Sequence, residues 1–118
     1  MKQKIHSKNK SFHVLDLAVT ISAQCANLGK QVRHPFGDIV SQMERAAASV
    51  ALNIAEGAGR TGKSRKLHYQ IAYGSARETT TALEILVKIR RLTMDQVNET
   101  LNLLDQVRAI LWTIINKH

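Results

Sequence analysis

Residues 50–64 read VALNIAEGAGRTGKS, and two folds compete for them. From Gly57 to Ser64 the letters spell G-x-x-x-x-G-K-S, the pattern of a loop that cradles phosphates between a strand and a helix. Val50, Leu52 and Ile54 alternate, which suits the strand that such a loop needs. Against it stand Ala46, Ala47 and Ala48 with the flanking Ala51 and Ala55, all strong helix formers. Apolar residues also recur at helical spacing back through Val50, Ala46 or Ala47 and Met43 to Ile39. A helix that stops near Gly57 to Gly59 is therefore expected. A parallel sheet needs about 30 residues for each crossover unit, and a chain of 118 residues has little room for several. The one apolar run ending in an acid, Leu101 to Asp105, falls inside another helical pattern. The match is read as coincidence. A nucleotide-binding enzyme survives only if residues 50–54 form a strand.

Working outward, residues 1–10 form a basic polar arm and residues 11–118 a single domain. Ser11 can cap a first helix running to about Leu28, with Gly29 as its stop signal. Val14, Leu17, Ile21, Cys25 and Leu28 make one apolar stripe, and Phe12, Leu15, Val19 and Ala26 a second beside it. That width exceeds what one core needs and points to a subunit interface. His34 to Asp38 is a turn leading into the second helix. A third helix is expected from about Ser64 to Arg90, with Leu67, Ile71, Gly74, Glu78, Leu83, Leu86 and Ile89 near one face. Thr93-Met94-Asp95-Gln96 is a capping box that opens a fourth, carried on by Val97, Leu101, Leu104, Leu111 and Ile115, with Trp112 adding bulk. Short connections make successive helices antiparallel, so the expected fold is an all-α, up-down-up-down four-helix bundle.

Seventeen Lys and Arg against nine Asp and Glu leave a formal charge of +8. Such an excess favours nucleic acid, acidic membranes or acidic proteins without choosing among them. Arg60, Lys63, Arg65 and Lys66 cluster between the second and third helices, and Lys2, Lys4, Lys8 and Lys10 stud the arm. Cations suit the end of one helix but oppose the start of the next, by about 0.3–1 kcal/mol each when exposed. A purely structural loop gains little from four of them. These eight side chains are therefore the candidate phosphate contacts, with a solvated charged turn as the plain alternative. Tyr69 and Tyr73, one turn apart, can stack on bases, although core packing is the better reading.

Cys25 is the single cysteine, so an internal disulfide and a cysteine-rich metal site are excluded, and its apolar neighbours suit a packed core thiol. His6, His13, His34, His68 and His118 are dispersed, with no pair at metal-ligand spacing. Neither a Ser-His-acid constellation nor a paired-acid motif is visible, so no enzyme activity, cofactor or metal is expected. No run approaches the ~18 apolar residues of a membrane span, and no signal core follows MKQKIHSKNK, which points to the cytoplasm. Arg45, Asn53 and Glu56 on the second helix, with Ser75 and Glu78 on the third, are polar residues set among apolar ones. A partly buried carboxylate needs a cation or several hydrogen bonds, otherwise it is costly. Arg45, or an arginine of a neighbouring subunit, is expected to meet Glu56 or Glu78 and fix the bundle's register, the alternative being that both glutamates face water.

The stretch SVALNIAEGAGR, Ser49 to Arg60, resembles the S-I-P-x-N-I-A-E-G-x-G-R signature of the bacterial four-helix bundle family associated with intervening sequences in 23S ribosomal RNA genes. IAYGSARE, Ile71 to Glu78, is similar to that family's I-A-x-G-S-x-x-E segment, and Arg45-Ala46-Ala47 to its lead-in. Ala51 stands where the family commonly has proline, and Thr79 where leucine is usual. The resemblance implies that Asn53, Glu56, Gly57, Gly59, Arg60, Gly74, Ser75 and Glu78 are signature positions. It also implies a ring-like homo-oligomer, notably a pentamer, without enzymatic activity. Similar small basic bundles are accessory proteins of diversity-generating retroelements, where they partner a reverse transcriptase and nucleic acid. The expectation is a non-enzymatic, oligomeric bundle that binds RNA or DNA through phosphates. A scaffold for a protein such as a reverse transcriptase is the alternative.

Overall fold

Residues 50–54 settle as helix. In the computed structural model, which describes residues 10–32 and 37–117, the alanine-rich segment lies within one unbroken helix, α2, Gly37–Ala58. With no strand ahead of the glycine-rich loop, or anywhere among the described residues, the nucleotide-binding alternative loses its structural requirement. The other helices are α1, Lys10–Gln31, α3, Gly62–Lys88, and α4, Met94–Ile115.

Each helix packs on two neighbours, α1 on α2, α2 on α3, α3 on α4 and α4 on α1; among the described residues the backbones of the diagonal pairs do not approach closely. The pairings run in opposite senses. Ser49 meets Ser75 while Asn53, further along α2, meets the earlier His68. Gln24 reaches Thr100 while Gln31 reaches the earlier Gln96. The result is an antiparallel four-helix bundle. It places the start of α1, the end of α2, the start of α3 and the end of α4 at one end.

The core follows the expected spacing in α2, where Met43, Ala46, Ala47, Val50, Ile54 and Gly57 are buried. In α1, Val14, Ile21, Cys25 and Leu28 are buried as expected, with Ala18 buried in place of Leu17, which is half-buried. Of its second stripe Phe12, Val19 and Ala26 are exposed, while Leu15 is half-buried against the core. In α3 the expected face holds in the second half, where Leu83 and Leu86 are buried, and is off by part of a turn in the first. Leu67, Ile71, Gly74 and Glu78 are exposed, and the core face is Tyr69, Ala72, Ala76, Thr79, Leu83 and Leu86. On this face Ser75 Oγ lies 2.9 Å from Ser49 Oγ of α2, and small side chains let helix backbones approach closely. In α4, Val97, Leu104, Val107 and Leu111 are buried, whereas Trp112 is exposed.

Helix ends show which local signals suffice. The capping box forms as expected: Gln96 N donates to Thr93 Oγ1 at 3.2 Å and Thr93 N to Gln96 Oε1 at 2.8 Å. Ser11 and Gly29 do not bound α1, which starts at Lys10 and runs through Gly29 to Gln31. Gly29 faces α2 instead, where an added Cβ would run into the side chains of Glu44 and Val40. Its value is close approach rather than termination. The end of α3 comes two residues before the expected Arg90, which itself takes φ +66°. There Arg90 N donates to Val87 O at 3.0 Å and Arg91 N to Leu86 O at 2.9 Å, the paired bonds that close a helix on a left-handed residue. An arginine does here what glycine usually does, and so no sequence signal marked the stop. Of the expected turn at His34 to Asp38, residues 34–36 lie outside the described residues, and Gly37 and Asp38 belong to α2. The helix persists through Ala51 and Thr79, where the family resemblance carries proline and leucine.

Candidate nucleic-acid interface

The corner between α2 and α3 is built by the glycine-rich stretch itself. Gly57 is buried against Tyr69, which is 1% exposed; a Cβ at Gly57 would lie 2.7 and 2.9 Å from two ring carbons. After Ala58 the chain turns through Gly59 N donating to Glu56 O at 3.2 Å and Arg60 N to Gly57 O at 3.0 Å. Thr61 is extended, and Gly62 opens α3 at φ +59°, a conformation that favours glycine. The G-x-x-x-x-G pattern thus has a structural origin: one glycine admits a buried ring, the other allows the turn.

Two of the four loop cations hold this corner. Arg65 Nε donates to Arg60 O at 2.7 Å and Gly57 O at 3.3 Å, and its Nη2 to Ala58 O at 3.3 Å. These carbonyls lie at and just beyond the end of α2, where they lack helical partners and the helix dipole is negative. Arg60 donates through Nε and Nη2 to Glu56 Oε2 at 2.9 and 2.7 Å, and through Nη1 to Ser64 Oγ at 3.3 Å. The hydrogen bonds from Arg60, and then its charge, hold the Glu56 carboxyl below the usual glutamate value. The expectation that a loop of this kind gains little from its cations therefore needs correcting, because Arg65 is one of its structural members.

Lys63 and Lys66 are different. Both are exposed, and among the described residues neither joins an ion pair or a hydrogen bond. Lys66 and Arg65 line a cleft of about 210 Å³ with Tyr69, Ile114, Ile115 and Lys117. Lys117 was missing from the sequence-derived set, although an antiparallel fourth helix necessarily ends beside the α2–α3 corner. Lys10 begins α1 at this same end, while Lys2, Lys4 and Lys8 lie outside the described residues. The first turn of α3 carries no acid and its Thr61 side chain makes no cap bond, so the helix terminus adds positive potential. Tyr69 is core and closed to stacking, and Tyr73 is half-buried against the core, as the packing reading expects.

The expected polar network forms only in part. Asn53 Nδ2 donates to Ser49 O at 3.0 Å and to Ser49 Oγ at 3.1 Å, and Ser49 Oγ lies 2.9 Å from Ser75 Oγ. With its amide engaged, Asn53 Oδ1 faces His68 Nδ1 at 3.0 Å, so that ring nitrogen carries the hydrogen. Ser49 and His68 complete a chain that joins Asn53 to Ser75 across α2 and α3. Arg45, Glu56 and Glu78 stand outside it, all exposed. Within the chain Glu56 meets Arg60 rather than Arg45, because i,i+4 spacing at the end of α2 brings them together. Burial, with the Glu44 carboxylate adding to it, pushes the Cys25 thiol up to about 12, which keeps it protonated in the core. No helix among the described residues is long and apolar enough to cross a membrane.

Comparison with protein families matches residues 10–113 to the 23S rRNA-intervening sequence protein family. Among solved structures, a protein of unknown function from the S23 ribosomal protein family of Bacteroides thetaiotaomicron aligns with a TM-score of 0.83. The two are 23% identical over 88% of this chain and 99% of the other, a likeness that speaks to the fold. No curated protein matches the chain.

Proposed function

The chain belongs to the 23S rRNA-intervening sequence protein family, and from that premise we propose that it is a non-enzymatic basic bundle of the cytoplasm that holds nucleic acid by its phosphates and works as a ring-like homo-oligomer, a pentamer by preference. The observation that carries this reading is the gathering of Arg60, Lys63, Arg65, Lys66 and Lys117 at one end of the bundle, where Lys63 and Lys66 have no engagement among the described residues. Lys10 begins α1 at the same end, and Lys2, Lys4 and Lys8 precede it in the sequence. Lysine side chains held near a helix N-terminus attract phosphate without reading bases, so the contact is electrostatic and largely independent of sequence. Repetition of such a patch around a ring turns modest affinity at one site into avidity. The phosphate-loop pattern lends a rival enzyme reading little support, since it follows a helix rather than a strand and its glycines serve Tyr69 and the turn at Gly62.

The test is binding to labelled structured RNA, single-stranded DNA and duplex DNA at low salt, with a Lys63→Glu/Lys66→Glu variant beside the wild type. Arg65 is left intact because it holds the corner. Affinity for at least one of the three, falling more than about tenfold in the variant, supports the proposal. Absence of binding to all three overturns it and favours a scaffold for a protein partner such as a reverse transcriptase, whose basic charge only assists encounter.

A further inference from the structure

Two open apolar surfaces lie on opposite sides of the bundle. The α1/α2 flank and the α3/α4 flank share no helix, and among the described residues the backbone of each helix closely approaches only its two neighbours. The two flanks therefore face away from each other. The first holds a groove of about 430 Å³ lined by Val19, Ala23, Ala26, Ala48, Ala51 and Leu52, with no charged side chain in it. Leu52 is 68% exposed. The second, of about 380 Å³, is lined by Thr81, Glu84, Ile85, Lys88, Met94 and Leu101, with Met94 55% exposed. The α1/α4 flank is different in kind, bridged by bonds of Gln24 to Glu99 and Thr100 and of Gln96 to Gln31.

We propose that the two apolar flanks are the two halves of one head-to-tail contact between copies of this chain, the α1/α2 flank of one copy receiving the α3/α4 flank of the next. This rests on the oligomer reading above and adds which surfaces meet. Pairing either flank with itself would leave the other flank's large apolar side chains in water. A single head-to-tail contact covers both on every copy, and its repetition closes a ring when the rotation allows. The alanines of the first groove leave space that the longer side chains of Ile85 and Met94 fill. A net charge of +8 opposes self-association, but the uncharged α1/α2 lining gives copies a neutral strip along which to meet. The area is adequate as well. Helices of 22 residues are about 33 Å long and a pair is about 20 Å wide, so a flank offers roughly 700 Å², close to the ~800 Å² per partner of a standard stable interface.

The test uses two full-length variants, each blocked on one flank. Leu52→Glu places a charge on the α1/α2 flank. Met94→Glu places one on the α3/α4 flank, in the first turn of α4, where the helix dipole favours an acid. Both sites are exposed, and helical circular dichroism confirms folding; Leu52→Lys alongside removes any dependence on the sign of the charge. Sedimentation velocity at high micromolar concentration is expected to show wild type larger than a dimer and each variant alone as a monomer. Equal amounts of Leu52→Glu and Met94→Glu should form a 1:1 complex, since together they keep one intact pair of surfaces. Assembly of wild type without that cross-complex, or assembly of either variant as in wild type, overturns this assignment alone. A monomeric wild type overturns it together with the oligomer reading, while leaving the phosphate-binding test unaffected.

Discussion

Arg65 and Arg60 share a short loop with Lys63 and Lys66, yet the four side chains divide by what they touch. Arg65 has a planar fork that reaches three carbonyls at once, which a lysine ammonium on its flexible stem cannot reproduce. That role was hidden in the sequence, because its acceptors lie five to eight residues back and face the guanidinium only once the turn through Gly59 and Gly62 has formed. The Glu56–Arg60 pair is open to reading, since the two are one turn apart, but Arg60 reads as a loop residue, and Arg45 or a neighbouring subunit's arginine is the expected partner. The pair makes a pH prediction. Glu56 is held below the ordinary glutamate value, so whatever the pair adds to stability is present above that value and is lost as pH falls through the lowered one. An NMR titration should find Glu56 releasing its proton at lower pH than a free glutamate, and Arg60→Ala should return it to the ordinary range. An unchanged midpoint in Arg60→Ala would show that the contact does not persist in solution.

At the scale of the helix, what was legible depended on how local the signal was. The Thr93–Gln96 box involves four consecutive residues and formed as read. On α3, Leu83 and Leu86 are buried as expected, but the first half departs: Leu67 and Ile71, being large and aliphatic, pass for core, whereas the buried positions there are mostly alanine, serine and threonine. A helix that packs closely on its neighbour selects small side chains, and only the partner helix reveals that choice. Two glycines in signature segments accordingly have opposite reasons. Gly57→Ala forces a methyl into the buried Tyr69 ring and should cost about 1–3 kcal/mol. An alanine at Gly74 meets nothing within 4 Å and should stabilise α3 by about 0.5–1 kcal/mol through helix propensity. Denaturant unfolding at one protein concentration checks both. Equal effects of the two substitutions would contradict the packing assigned to Gly57.

For the whole molecule, the antiparallel topology gathers the charge. It brings the α2–α3 corner, the end of α4 and the chain's entry into α1 to one place, so cations far apart in sequence act as one surface. Four helices and their order were readable from periodicity and turn residues. Lys117 was not recognised, although topology alone would have placed it beside Lys66. The account's central claim is that this end of the bundle touches phosphates, and the salt dependence of binding tests it most directly. For the nucleic acid that binds, the logarithm of affinity is plotted against the logarithm of salt concentration for wild type, for Lys63→Gln/Lys66→Gln, and for Lys30→Gln near the opposite end. Each lost contact flattens the slope by about 0.7 on a single strand and 0.9 on a duplex. The account predicts a slope shallower by at least about 1.4 in the double variant and unchanged in Lys30→Gln. Parallel lines for wild type and the double variant would contradict it.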